Sequence, residues 1–286
     1  MKAYSLGLYE KAMPAELSWK EKLQAAKEAG YDYVEISIDE TEEKIKRLDM
    51  TKQERFEMLS VMYETDMPIR TMCVSALTKY TLGNDDPDYC ARGMEILEKA
   101  ICLAADLGIR VVMIPGYDVF YRPSTVETKR RYLKNLKKGA EMAETAGVIL
   151  GLETMENEFM NTVEKAMKYV TLCGSNYLKV YPDIGNLTNA AVQYKTDVLE
   201  DLELGKGNMT SLHLKETLPG RYREVPYGAG HVDFEAAIAK AWELGIRRYV
   251  TEFWYKGKEN WKEDLFSANK MMTEILDRQT EGVDKS

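Results

Sequence analysis

The chain has 286 residues, 45% of them hydrophobic and 30% charged, and a formal net charge of −8. Its length and apolar content suit one barrel-sized domain, expected over 1–286 with the last ten or so residues, DRQTEGVDKS, as a solvated tail. The acidic balance excludes a broad nucleic-acid surface, because a phosphate backbone needs a basic footprint. No apolar stretch approaches the roughly 18 residues of a membrane span, and MKAYSLGLYEKAMP lacks a signal peptide's apolar core, so a cytoplasmic protein with no membrane partner is expected.

Strand-like runs recur along the chain: YSLGLY (4–9), YVEISI (33–38), IRTMCVSA (69–76), RVVMIPG (110–116), VILGLE (148–153), YLKVYPD (177–183), MTSLHLK (209–215) and RYVTEFW (248–254). Most are apolar throughout rather than alternating, the pattern of parallel strands covered on both faces. Charged, periodically apolar segments lie between them. SWKEKLQAAKEAG (18–30) and YCARGMEILEKAICLAADLG (89–108) each end in a glycine that reads as a helix C-cap. Eight alternating units predict an α/β fold of the (β/α)8 TIM-barrel type. A doubly wound sheet would want G-x-G-x-x-G after the first strand, where YEKAMP stands instead. Cys73, Cys90, Cys102 and Cys173 lack C-x-x-C spacing and read as reduced packing thiols.

Four polar residues fall at the ends of these runs: Glu153, Asp183, His213 and Glu252, spaced by 30, 30 and 39 residues. Each interval approximates one strand-plus-helix unit, so successive units would present one group apiece at the carboxyl end of the barrel, where such folds carry their chemistry. Three carboxylates and one imidazole suit one divalent ion, Mn²⁺, Zn²⁺ or Mg²⁺, with coordination positions left for substrate oxygens. A cation chelating a ketone oxygen and its neighbouring hydroxyl would acidify the C–H between them. With Glu153 and Glu252 on opposite faces of a sugar, one removes a proton and the other returns one, inverting the centre. Proton transfer on one side only gives aldose–ketose isomerisation, and the residues leave both outcomes open.

Further candidates cluster near the expected mouth. Glu156 and Asn186 lie three residues beyond Glu153 and Asp183, within reach of sugar hydroxyls or of a helix N-terminus to cap. Tyr9, Glu10 and Trp254 follow the first and last strands and could wall the pocket. His231 in YGAGHVDF either lines it or caps the helix beginning near Asp233.

The segments LGLYEKAMP (6–14), GYDYVEISIDET (30–41), RLDMT (47–51), GYDVFY (116–121), ETKRRY (127–132), YPDIGN (181–186), HLKET (213–217) and VPYGAGHVDF (225–234) span nearly the whole chain. In them it resembles the L-ribulose-5-phosphate 3-epimerase (L-xylulose-5-phosphate 3-epimerase) family of the xylose-isomerase-like barrels. That resemblance implies interconversion of L-xylulose 5-phosphate and L-ribulose 5-phosphate by inversion at C3. It implies metal binding by Glu153, Asp183, His213 and Glu252, proton transfer by the two glutamates, and a soluble homo-oligomer, often a dimer. One segment departs from the family: its basic His-Arg-Arg-Phe after the third strand is replaced by Leu77, Thr78, Lys79 and Tyr80. Lys79 is then the remaining cation there for a substrate phosphate, with Arg221 and Arg223 as alternatives. An aldose–ketose isomerase, or a 3-epimerase of another, unphosphorylated ketose, is the competing reading. A barrel endonuclease with a multi-zinc site is disfavoured by the chain's two histidines.

Overall fold

The computed structural model describes residues 2–120 and 122–281. Eight strands are present: β1 (Ser5–Tyr9), β2 (Tyr33–Ser37), β3 (Ile69–Cys73), β4 (Val111–Pro115), β5 (Ile149–Glu153), β6 (Leu178–Tyr181), β7 (Leu212–Leu214) and β8 (Arg248–Thr251). All pair in parallel, in the spatial order β6-β5-β4-β3-β2-β1-β8-β7. Parallel bridges Val180↔Met209 and Asp183↔His213 join the two edges. The His213 N–H donates to Pro182 O at 2.9 Å and that of Thr210 to Val180 O at 3.0 Å. The expected (β/α)8 barrel is the observed one.

Helices α1 (Trp19–Glu28), α2 (Glu42–Lys46), α3 (Lys52–Thr65), α4 (Pro87–Leu107), α5 (Val126–Ala146), α6 (Val163–Cys173), α7 (Ile184–Tyr194), α8 (Val198–Glu203), α9 (Phe234–Glu243) and α10 (Trp261–Glu281) form the outer ring. Local chemistry sets their ends. Ser18 with Glu21, and Thr51 with Glu54, form reciprocal caps that satisfy the first free N–H groups of α1 and α3. Gly108, at φ 70°, ends α4 in the left-handed cap its sequence position predicts. Two units carry an extra helix, so the intervals between strands are less regular than a simple repeat. No helix among the described residues is long and apolar enough to cross a membrane.

Several strands are shorter than their apolar runs. At Val74 the backbone reaches ψ 62°, outside the extended range, and Ser75–Thr78 wind into a 3-10 turn, so the run 69–76 stops being strand at Cys73. Within 209–215 only Leu212–Leu214 is strand, and β8 ends at Thr251. Within the expected tail, 277–281 are the end of α10, which runs to Glu281, and 282–286 lie outside the described residues.

The core has two parts. Between strands and helices, fully buried aliphatics such as Leu23, Leu97, Leu136 and Ile238 form the main cluster. Inside the barrel a smaller cluster comprises Tyr9, Tyr33, Cys73, Val111, Met113, Tyr181 and Val250. Two glycines admit its large rings: a Cβ on Gly7 would lie 2.4 Å from Tyr33, and one on Gly151 2.9 Å from Tyr181. These residues form the floor on which the polar mouth is built.

Candidate active site

The four end-of-strand residues converge. Glu153 closes β5, Asp183 caps the N-terminus of α7, His213 is the middle residue of β7, and Glu252 follows β8. All are buried, and one ligand atom from each lies within 4.8 Å of the others. Secondary structure fixes each side chain. Asp183 Oδ1 accepts the Asn186 N–H at 2.9 Å, while its own N–H donates to Thr154 Oγ1 at 2.9 Å, leaving Oδ2 for the cluster, where it meets Lys215. The Glu252 N–H donates to Leu214 O at 3.0 Å, which ties it to the β7 strand beside His213.

His213 Nδ1 lies 3.2 Å from Glu153 Oε1 and 3.0 Å from Glu252 Oε2. Lys215 Nζ stands 2.6 Å from Asp183 Oδ2 and 3.7 Å from Glu252 Oε2. Asp183 Oδ2 and Glu252 Oε2 are buried, and with Glu153 three carboxylates share one ammonium and one imidazole, an excess of negative charge that a bound cation would balance. Three convergent carboxylates and one imidazole fit a hard or borderline divalent ion. The charges are strongly coupled. Burial lifts Glu153 above the usual carboxylate range, with His213 opposing and Glu252 adding to the rise. Burial pushes Asp183 up to about 8 against the pull of Lys215, and Glu252 and Glu153 add repulsion. Burial would raise Glu252 as well, but Lys215 and His213 hold it well below its ordinary value. For His213, burial disfavours the imidazolium, yet Glu35 and Glu252 raise it well above its usual range.

The other predicted residues divide between wall and rim. Tyr9 is buried beside the ligands, its ring centroid 6.4 Å from that of His213 and 6.2 Å, edge-on, from that of Trp254. Trp254, Lys215 and Glu252 line a cavity of about 370 Å³ that reaches Ala268 and Met271 on α10. Glu156 accepts from Tyr117 Oη at 2.5 Å and from Arg223 Nη2 at 3.0 Å, so a β5 loop residue is latched to the loop after β7. Asn186 is buried, with Nδ2 donating to Thr154 O at 2.8 Å.

Lys79 is exposed, its Nζ 5.0 Å from the Tyr80 ring centroid. Together with Glu40, Asn84 and Arg122 it lines a second cavity of about 500 Å³. Arg221 folds onto its own loop, bonding Arg223 O and Glu224 O. His231 Nε2 meets Thr217 Oγ1 at 3.1 Å, and its N–H donates to Thr217 O. The cap of α9 is Asp233, so the capping alternative for His231 does not hold. Glu10 does not wall the mouth. It is buried behind β1 and β2, accepting from Lys22, Lys44, Arg47 and the Ser37 N–H, because one carboxylate there satisfies three cations.

Sequence reasoning missed three residues of the centre. Glu35 Oε1 is 2.7 Å from His213 Nε2, Glu35 Oε2 accepts from Tyr181 Oη at 3.0 Å, and Lys215 bridges Asp183 and Glu252. A signal was present: Glu35 is a lone carboxylate inside a run otherwise fit for burial on both faces, and Lys215 shares His213's side of its strand by the two-residue period.

Residues 23–271 match the family described as xylose isomerase-like TIM barrel. L-ribulose-5-phosphate 3-epimerase UlaE of Escherichia coli O139:H28 is 40% identical over 260 residues, which cover 91% of this chain and 90% of that relative. The relative of the same name from Escherichia coli O157:H7 matches equally. Among solved structures, a D-tagatose 3-epimerase-like protein superposes with TM-score 0.78 at 18% identity, covering 98% of this chain and 99% of that one. An L-ribulose 3-epimerase superposes with TM-score 0.77 at 19% identity, covering 98% and 97%. At such identities the superpositions carry the fold, whereas the curated relatives carry the family. The chain belongs to the xylose isomerase-like TIM barrels and, within them, to the L-ribulose-5-phosphate 3-epimerase family, and it is an isomerase of the epimerase class.

Proposed function

We propose that this protein is a metal-dependent ketose-phosphate 3-epimerase that interconverts L-xylulose 5-phosphate and L-ribulose 5-phosphate. The observation that carries the reading is the convergence of Glu153, Asp183, His213 and Glu252 on one point in a chain 40% identical to proteins of that named activity. A divalent ion held by these four residues would act as a Lewis acid for the negative charge that develops on the ketose oxygens. Glu153 and Glu252 reach the centre from the ends of β5 and β8. One takes the C3 proton and the other returns a proton from the opposite face. Asp183 and His213 serve as ligands alone. Tyr9 and Trp254 exclude water at the wall, Glu156 and Asn186 stand where sugar hydroxyls would lie, and His231 braces the loop beside them.

The phosphate is assigned to the rim, with Lys79 as its first contact and Arg221 or Arg223 as the alternatives. A specific observation also supports a second reading, a 3-epimerase of an unphosphorylated ketose. Arg223 is already paired with Glu156 and Arg221 is tied down by loop carbonyls, so of these three cations Lys79, resting on the Tyr80 ring, is the one not held by a carboxylate or carbonyl among the described residues. An epimerisation assay comparing L-xylulose 5-phosphate with L-xylulose, the product stereochemistry followed by NMR, separates the readings. Turnover of the phosphate ester alone supports the first, turnover of the free ketose the second, and an aldose product overturns both. The proposal includes a single barrel domain over 1–286 and a cytoplasmic homodimer, the latter tested by light scattering on the eluting protein.

A further inference from the structure

The geometry points to Glu35 and Tyr181 as positioning residues that fix which nitrogen of His213 is offered to the metal. Glu35 projects into the lumen from β2, and His213 meets it from β7, 178 residues along the chain. The carboxylate is fully buried, and its ion-pair partner among the described residues is the imidazole. Ionised, Glu35 only accepts hydrogen bonds, so the 2.7 Å contact places a proton on Nε2. Tyr181 Oη donates to the other Glu35 oxygen at 3.0 Å, while its ring packs edge-on to the imidazole with centroids 4.7 Å apart. One side chain therefore holds the carboxylate in place and also blocks rotation of the ring.

Nδ1 is then the nitrogen facing the ligand cluster. It meets Glu153 Oε1 at 3.2 Å and Glu252 Oε2 at 3.0 Å, contacts filled by a proton on Nδ1 in the metal-free protein and by the metal ion once that proton leaves. Glu35 thus converts an imidazole with two equivalent options into one that ligates through Nδ1. An outer carboxylate of this kind also makes the ligand more basic, and losing one typically costs metal affinity by roughly 10- to 100-fold. The inference rests on the ligand set proposed above and adds the residues beneath it.

The test measures Mn²⁺ binding to the full-length protein by electron paramagnetic resonance for wild type, Glu35→Gln and Tyr181→Phe. Histidine ¹⁵N spectra of the Zn²⁺-loaded wild type complete it. Because the chain has two histidines, a His231→Asn variant assigns the spectrum. The expected result is Mn²⁺ binding roughly 10- to 100-fold weaker in Glu35→Gln, a smaller loss in Tyr181→Phe, and an Nε2-protonated, Nδ1-ligated His213 in wild type. A Glu35→Gln protein that binds Mn²⁺ like wild type, or a His213 ligated through Nε2, overturns the inference. Should Glu35→Gln fail to fold, Tyr181→Phe and the wild-type spectrum decide. Wild type that binds no metal overturns both this inference and the proposed function. Weakened metal binding in an enzyme that epimerises no ketose phosphate overturns the function alone.

Discussion

The strand-end floor and the loop rim of this barrel solve different problems. On the floor, Glu153, Asp183, His213 and Glu252 are buried and held by backbone hydrogen bonds, helix capping and a layer of lumen residues. At the rim, Lys79 and Arg221 are exposed and rest on an aromatic ring and loop carbonyls, and Arg223 bridges two loops through Glu156. A reacting proton needs fixed geometry in a water-poor setting, so the floor belongs to strands anchored by the sheet. Choice of substrate tolerates and exploits variation, so it belongs to loops.

Substitutions should separate the regions by size of effect. Glu153→Gln or Glu252→Gln should each slow exchange of the C3 proton with solvent deuterium by about 10²- to 10⁴-fold while leaving circular dichroism unchanged. Wild-type-like exchange in either variant would refute a two-base reaction. Next in size, Asp183→Ala or His213→Ala should lower bound metal. Saturating wild type with metal at about 100 times its Kd should raise stability by about 2.7 kcal/mol, read as a higher Tm that chelator removes and these variants lack.

A carboxylate outside the mouth supplies the control for charge without chemistry. Burial pushes Glu10 upward, but Arg47, Lys44 and Lys22 outweigh it and bring the group down to about 2 from an ordinary 4.5. A depressed carboxylate stabilises fully above its unfolded value and loses that contribution as pH falls through the folded value. Glu10 should therefore contribute about 3 kcal/mol at pH 6 that disappears between roughly pH 4.5 and 2. Urea melts of wild type and Glu10→Gln should differ most near neutrality and converge in acid; a constant gap would refute the assignment. The smallest effects should come from the rim. Lys79→Ala or Arg223→Ala should raise KM for the phosphorylated ketose by about tenfold or less, with little change in kcat and about 1 kcal/mol or less in stability. A large fall in kcat would move that residue from rim to floor.

The order of the eight strands and the places of Glu153, Asp183, His213 and Glu252 could be read from the chain, because both depend on short-range pattern: apolar runs covered on two faces, and a polar residue at or near the end of four of them. Helix ends were similarly local, as Ser18 with Glu21 and Gly108 show. Two things awaited the closed barrel. Glu10 looked like a mouth residue until the packing of α1 and α2 surrounded it with Lys22, Lys44 and Arg47. Glu35 and Tyr181 became part of the centre only when β2, β6 and β7 shared one lumen. The sequence by itself determined which residues stand in or just beyond the short strands, since periodicity is a property of neighbours, although His213 lies in the middle of β7 rather than at its end. Only tertiary structure decided which buried charges face one another, since that depends on distances across the barrel that no local pattern encodes.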